Sequence, residues 1–261
     1  MSGRVRVGIG GWVFEPWRGT FYPDGLTQKR ELEYASRKLT TIEVNGTFYG
    51  SQKPASFRKW YDETPEDFVF ALKGPRFATN RRVLAEAGES VERFFGTGVL
   101  ELKEKLGPIN WQFAATKKFD PEDFAAFLAL LPREVEGRAV RHAVEVRHPS
   151  FAVPEVLALA RAHGVAIVAA GDSVYPAIWD ATAPFVYARI MGTDEAEPQG
   201  YPAASLDAWA GRATALAAGR APEGLPLLAP VEAGARDVFL YVISGGKVRN
   251  PAAAMALLER L

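Results

Sequence analysis

The chain has 261 residues, with 31 Lys plus Arg against 31 Asp plus Glu, and no cysteine. Hydrophobic residues make up 48% and charged residues 24%, ordinary globular usage that excludes a disordered or collagen-like chain. Zero net charge excludes a basic nucleic-acid tail, and the missing cysteines exclude a disulfide framework, a thiol nucleophile and a thiolate metal site.

Apolar runs rich in β-branched and aromatic residues alternate with amphipathic stretches along the chain. A first strand is predicted at 5–10, then a helix over 27–38 opened by Thr27. A strand at 41–45 leads to a helix at 53–63, a strand at 68–73 to a helix at 89–105, and a strand at 109–113 to a helix at 120–131. Asp120-Pro121-Glu122-Asp123 reads as a cap, a proline at the first helical position and an acidic first turn. A strand at 143–147 precedes a helix at 154–163, which His163-Gly164 ends. Strands at 166–170 and 185–190, a helix at 205–218, a strand at 238–243 and a helix at 251–260 opened by Asn250-Pro251 complete the order. The Pro/Gly-rich stretch 219–236 reads as a long connection within one domain. Eight strand–helix units in this length predict one (β/α)8 TIM barrel over residues 1–261. No GxGxxG follows the first strand, which argues against a dinucleotide fold.

Side chains alternate faces along a strand, and a barrel turns its large aliphatics outward onto the helices. Ile42 and Val44 outward place Glu43 and Asn45 inward. The same parity turns Lys73, Asn110, Gln112, Glu145, Arg147, Tyr187, Arg189 and Met191 inward, and Asp172 ends the sixth run. Most of these lie late in their strands, at the C-terminal mouth where barrel active sites form. The expected set is three carboxylates (Glu43, Glu145, Asp172), three cations (Lys73, Arg147, Arg189) and two amides (Asn45, Gln112). That local balance suits a mixed-polarity ligand, or an ion-pair network that fills the barrel top.

Several motifs in order resemble the YecE-like family, domain of unknown function 72. They are Gly10-Gly11-Trp12 with Trp17 and Phe21-Tyr22-Pro23, then Glu43-Val44-Asn45-Gly46-Thr47-Phe48-Tyr49. Phe70-Ala71-Leu72-Lys73-Gly74-Pro75-Arg76, Gly107-Pro108 through Gln112-Phe113, Glu145-Val146-Arg147-His148-Pro149-Ser150-Phe151 and Tyr187-Ala188-Arg189-Ile190-Met191-Gly192 follow. The resemblance implies a TIM barrel with a polar site at the mouth. Two positions usually histidine in that family are Asn80 and Met191 here.

Glu43 and Glu145 are the expected proton-transfer groups, with Lys73 as a third catalytic candidate, for anion holding or as a Schiff-base lysine. Trp12, Asn45, Tyr49, Gln112, Arg147, His148, Asp172, Arg189, Ser244 and Gly245 are expected ligand contacts. Ser244-Gly245-Gly246-Lys247 occupies the place where barrels often hold phosphate, although a tight turn explains the glycines equally well. Trp17 and Phe21 read as a roof. Of three histidines, His142 sits at the wrong end of its strand and His163 reads as a helix end. No organic cofactor motif is present. A divalent metal held by Glu43, Glu145 and Asp172 is a minor alternative, opposed by the three cations. The leading expectation is an enzyme for a small polar or anionic metabolite in the cytoplasm, with no membrane partner and no nucleic acid. A non-catalytic ligand-binding or interaction barrel is the alternative, and a metal-dependent nucleic-acid or abasic-site enzyme a third by fold analogy alone.

Overall fold

Each predicted apolar run becomes a strand hydrogen-bonded in parallel to the next. The computed structural model describes residues 2–261. The strands are β1 Val5–Gly10, β2 Thr41–Val44, β3 Val69–Lys73, β4 Leu106–Gln112, β5 His142–Glu145, β6 in two segments (Ala166–Ile167 and Ala169–Gly171), β7 Phe185–Ile190 and β8 Asp237–Val242. The first segment of β6 pairs with β5, and the second pairs with β7. Val168 between them donates its N–H to the Val144 carbonyl at 2.9 Å. With β8 paired to both β7 and β1, the strands curl into a TIM barrel whose nearly complete closure runs through β6, one segment bound to each neighbour.

Alternation along the strands sorts the core into two layers. Ile9, Ile42, Leu72, Trp111 and Val144 face outward into the packing between strands and helices. Val69, Ala71, Ala143, Phe185, Tyr187, Phe239 and Tyr241 fill the interior. Gly8 faces in where β1 and β2 crowd together; a Cβ there would lie 1.9 Å from the Thr41 carbonyl oxygen. Glycine at that point leaves the interior volume to Tyr241, its partner in register.

Most helix signals hold. Asp120 Oδ1 accepts the Glu122 and Asp123 N–H groups at 3.1 Å each, capping the helix Pro121–Ala129. Gly164, at φ +66°, ends the helix Pro154–His163 in the left-handed conformation. Thr27 opens a short 3-10 turn before the helix Glu31–Lys38, but its side chain makes no capping bond. The helix expected at 89–105 is two pieces, Gly88–Phe95 and a 3-10 stretch Val99–Lys105, because Gly98 is left-handed at φ +94°. Strand β4 begins earlier than expected, through Gly107-Pro108. The register with β3 shifts between Phe70 and Leu72 there, which accommodates a proline that lacks a ladder donor. The 219–236 connection is tied down by buried Asp180, whose carboxylate accepts the Leu228 and Ala229 N–H groups at 2.9 Å each. Among the described residues no helix is long and apolar enough to cross a membrane.

Candidate functional site at the barrel mouth

Inward parity late in β2, β5 and β7 brings Glu43, Glu145 and Arg189 together, all buried. Arg189 Nη2 reaches Glu43 Oε1 at 3.0 Å, and its Nη1 reaches Glu145 Oε2 at 2.6 Å. Tyr187, two residues earlier on β7, donates its hydroxyl to Glu43 Oε2 at 2.6 Å. Arg147 Nε and Nη2 lie 2.8 and 2.7 Å from Glu145 Oε1. Asn110 Nδ2 approaches Glu145 Oε2 at 3.2 Å. All four carboxylate oxygens are therefore occupied. Charges this deep persist only where such partners replace water.

Lys73 closes β3 differently. Its ammonium donates to Gln112 Oε1 and sits 4.5 Å from the centre of the Phe48 ring. Gln112 Oε1 also accepts Arg147 Nη2 at 2.8 Å. The ion pairs of the mouth join Arg147 to Glu145 and Arg189 to both glutamates, while Lys73 has none among the described residues. Arg147 lies over the Tyr175 ring at 4.3 Å and has the more open position, its side chain 19% exposed.

Burial alone pushes the Glu145 carboxyl up, but Arg189, then Arg147 and Lys73, outweigh it and hold the group down at about 2. Burial works against the Arg189 charge too, and the two glutamates more than restore it. Tyr187 is driven well above the ordinary phenol range by burial and by Glu43. For Lys73, burial lowers the ammonium to about 8, with Arg189 adding to the shift and the two glutamates opposing it. Its neighbours do not fully compensate its charge.

Of the residues expected at the site, Glu43, Glu145, Lys73, Gln112, Arg147 and Arg189 form one connected cluster. Asn45 begins the short helix Gly46–Tyr49 at the rim, its Nδ2 3.0 Å from where a Cβ on Gly10 would lie. Tyr49 is exposed and stands edge-on to Phe48, at 5.1 Å between ring centres. Five expected contacts lie elsewhere. Trp12 packs edge-on against Trp60 at 5.2 Å and against Phe70, in the outer core beneath the helix Pro54–Glu63. His148 spends Nδ1 on Ser150, 2.8 Å from its hydroxyl and 3.2 Å from its N–H, capping the turn that follows. Asp172 is exposed at φ +50° and accepts Trp209 Nε1–H at 3.1 Å. It lines a separate cleft of about 540 Å³ with Tyr201 and Arg212. Ser244 and Gly245 form a tight turn at φ +58° and +54°. A Cβ on Gly245 would meet the Thr193 carbonyl oxygen at 2.6 Å, so close packing requires the glycine.

These placements correct the expected balance: two carboxylates, not three, face three cations. They also remove the carboxylate trio. Among the described residues no three His, Cys, Asp or Glu side chains gather as metal ligands would. Trp17 and Phe21 are buried in the outer core, as a roof requires. Met191 abuts the inner core layer. Asn80 lies in another cleft, of about 720 Å³, with Arg82 and Lys118. Asn110 and Tyr187 had the right parity, yet only their hydrogen bonds to the glutamates reveal them as parts of the cluster. Tyr175 sits on a loop, where no periodicity announces it.

A DUF72 family protein of Thermotoga maritima MSB8 is 24% identical, with a TM-score of 0.74 over 98% of this chain and 97% of that one. Another, from Enterococcus faecalis V583, is 16% identical, with a TM-score of 0.70 over 99% and 98%. Both similarities speak for the fold alone. UPF0759 protein YecE of Escherichia coli K12 is 30% identical over 150 residues, 56% of this chain and 50% of that protein. The chain thus spans about half the length of the curated relatives it matches. The model of the family described as "Protein of unknown function DUF72" matches residues 6–261, and the chain belongs to that family.

Proposed function

We propose that this barrel is an enzyme for a small anionic metabolite of the sugar or sugar-phosphate kind, with Lys73 as its proton carrier and Arg147 as the solvent-side anchor. The supporting observation is the balance of charge at the mouth. Two saturated carboxylates face three cations, and Lys73 lacks a carboxylate partner. A desolvated, unpaired ammonium is relieved by an incoming anion or by loss of its proton, and acid–base catalysis uses both. Proton transfer thereby moves from Glu43 and Glu145 to Lys73. The Glu145 carboxylate, held at about 2, is a weak base at neutral pH, and both Glu43 oxygens are engaged by Arg189 and Tyr187, so the glutamates serve to hold Arg189 and Arg147 in place.

Saturation of both carboxylates also favours a second reading, a barrel that binds the same anion without turnover. Calorimetric titration with ribose 5-phosphate and inorganic phosphate, followed by proton NMR of the mixtures in D2O, distinguishes the two. Loss of one charge-assisted contact, in Lys73→Met or Arg147→Ala, is expected to weaken binding by about ten-fold or more. Chemical change in the bound compound supports the enzyme, and binding without change supports the second reading. No binding across a panel of sugar phosphates and hydroxy acids, or binding indifferent to both substitutions, overturns the anion site itself.

A further inference from the structure

We propose that Lys73 is a covalent group, whose amine forms an imine with the carbonyl carbon of an aldehyde or ketone that also carries an anionic group. This rests on the anion site proposed above and names the substrate class. It begins from an inventory of nucleophiles. The chain has no cysteine. The Glu43 and Glu145 oxygens are all engaged by Arg189, Tyr187, Arg147 and Asn110. Tyr187 is tied to Glu43, and Thr47 Oγ1 bonds the Lys73 carbonyl oxygen at 2.7 Å. Guanidinium groups hold no free lone pair at accessible pH. Lys73 alone in this cluster carries a nitrogen held only by a neutral amide and an aromatic face.

Its setting is that of activated lysines: desolvated, late in a barrel strand, and beside other cations that resist its charge. Lys73 is 5% exposed, which keeps its amine largely out of water. Phe48 walls one side, and Arg147 beyond Gln112 is placed to hold a phosphate or carboxylate.

The step balances without a redox partner. The ammonium gives one proton to solvent, and the amine lone pair forms the C–N bond as the carbonyl π electrons move onto oxygen. A proton passes from nitrogen to that oxygen, giving a carbinolamine. The hydroxyl then takes up a proton and leaves as water as the C=N bond forms. The net change converts ammonium plus carbonyl into iminium plus water, and the positive charge of the mouth is conserved.

Sodium cyanoborohydride trapping with glyceraldehyde 3-phosphate, read by intact mass and peptide mapping, tests the proposal. One equivalent should map to Lys73, labelled about ten-fold faster than surface lysines, because a larger share of its amine is unprotonated. Lys73→Arg should keep a cation and lose the adduct. Labelling spread evenly over surface lysines, or unchanged in Lys73→Arg, overturns the imine. Glycerol 3-phosphate, which has no carbonyl, is titrated in parallel without reductant. If it binds the wild type and Arg147→Ala weakens it while no Lys73 adduct forms, the imine fails and the anion site stands. If neither compound engages the mouth, both proposals fail. Should Lys73→Arg not fold, the position of the adduct on the wild-type chain decides alone.

Discussion

Lys73→Met tests whether the mouth holds an uncompensated cation. The folded protein holds this ammonium at about 8, against 10.5 for an ordinary lysine. Because the folded value is the lower one, the unfolded chain keeps the proton more tightly. Folding is therefore penalised in full below the folded value, and the penalty fades as pH rises from about 8 to 10.5. Each ten-fold loss of proton affinity is worth about 1.4 kcal/mol, which makes the penalty near neutrality about 3 kcal/mol. Methionine has a similar length and no charge, so it removes the penalty. It also deletes the bond to Gln112, a loss of about 1 kcal/mol, and exchanges the ammonium–Phe48 contact for a sulfur–aromatic one of similar size. The net expectation is a gain of about 1–2 kcal/mol near pH 7, or a rise in Tm of about 3–6 °C for a chain of this size. Thermal unfolding by circular dichroism across the alkaline range reads both parts. The advantage of Lys73→Met should shrink steadily from about pH 8 to 10.5. A variant less stable than wild type near neutrality, or a difference independent of pH, refutes the reasoning and makes Lys73 a compensated member of the ion network.

Removing Arg189 should act in the opposite direction. Arg189→Met strands Glu43 and Glu145 without their shared cation, and urea denaturation should show a loss of about 3–5 kcal/mol, part of which Glu145→Gln in the same chain restores. Gly8→Ala puts a Cβ 1.9 Å from the Thr41 carbonyl oxygen, so the variant should lose several kcal/mol or fail to accumulate as folded protein, while near-wild-type melting would show that β1 and β2 can part. His142 accepts Trp111 Nε1–H at 3.0 Å and lies 2.8 Å from the Pro132 carbonyl oxygen through Nε2. Burial, against the opposing effect of that carbonyl, holds it at about 4 instead of 6.5. The unfolded chain thus takes the proton first, and stability should fall by about 3 kcal/mol as pH drops through that interval. A smaller acid slope for His142→Gln, measured by chemical denaturation, checks the assignment.

The strand order and the face of each strand were legible because a parallel barrel repeats one rule eight times. Large aliphatics at Ile42, Val44, Leu72 and Val144 mark the outward parity, and the polar residues between them must turn inward. That rule carried Glu43, Lys73, Gln112, Glu145, Arg147 and Arg189 into one cluster. It failed on the loops, where no period applies. Trp12, His148, Asp172 and Ser244 follow strands closely in sequence, yet each is settled by local hydrogen bonding or by packing against a helix. The unbroken helix expected at 89–105 failed for a related reason, since Gly98 was free to take a backbone sign that hydrophobic spacing does not record.

Composition established equal numbers of acids and bases, and strand alternation determined that several of them face the barrel axis. Which of them pair was decided only by the tertiary structure. A hydrogen bond depends on distances of a few tenths of an ångström between residues as far apart as Glu43 and Arg189, and no sequence spacing encodes those distances. Closure of the barrel commits both glutamates to guanidinium partners, sends Asp172 to a separate cleft, and leaves Lys73 as the unpaired charge. Overall neutrality is a property of the sequence. The excess positive charge at the mouth is a property of the fold, because the closed barrel determines which charges share a desolvated space.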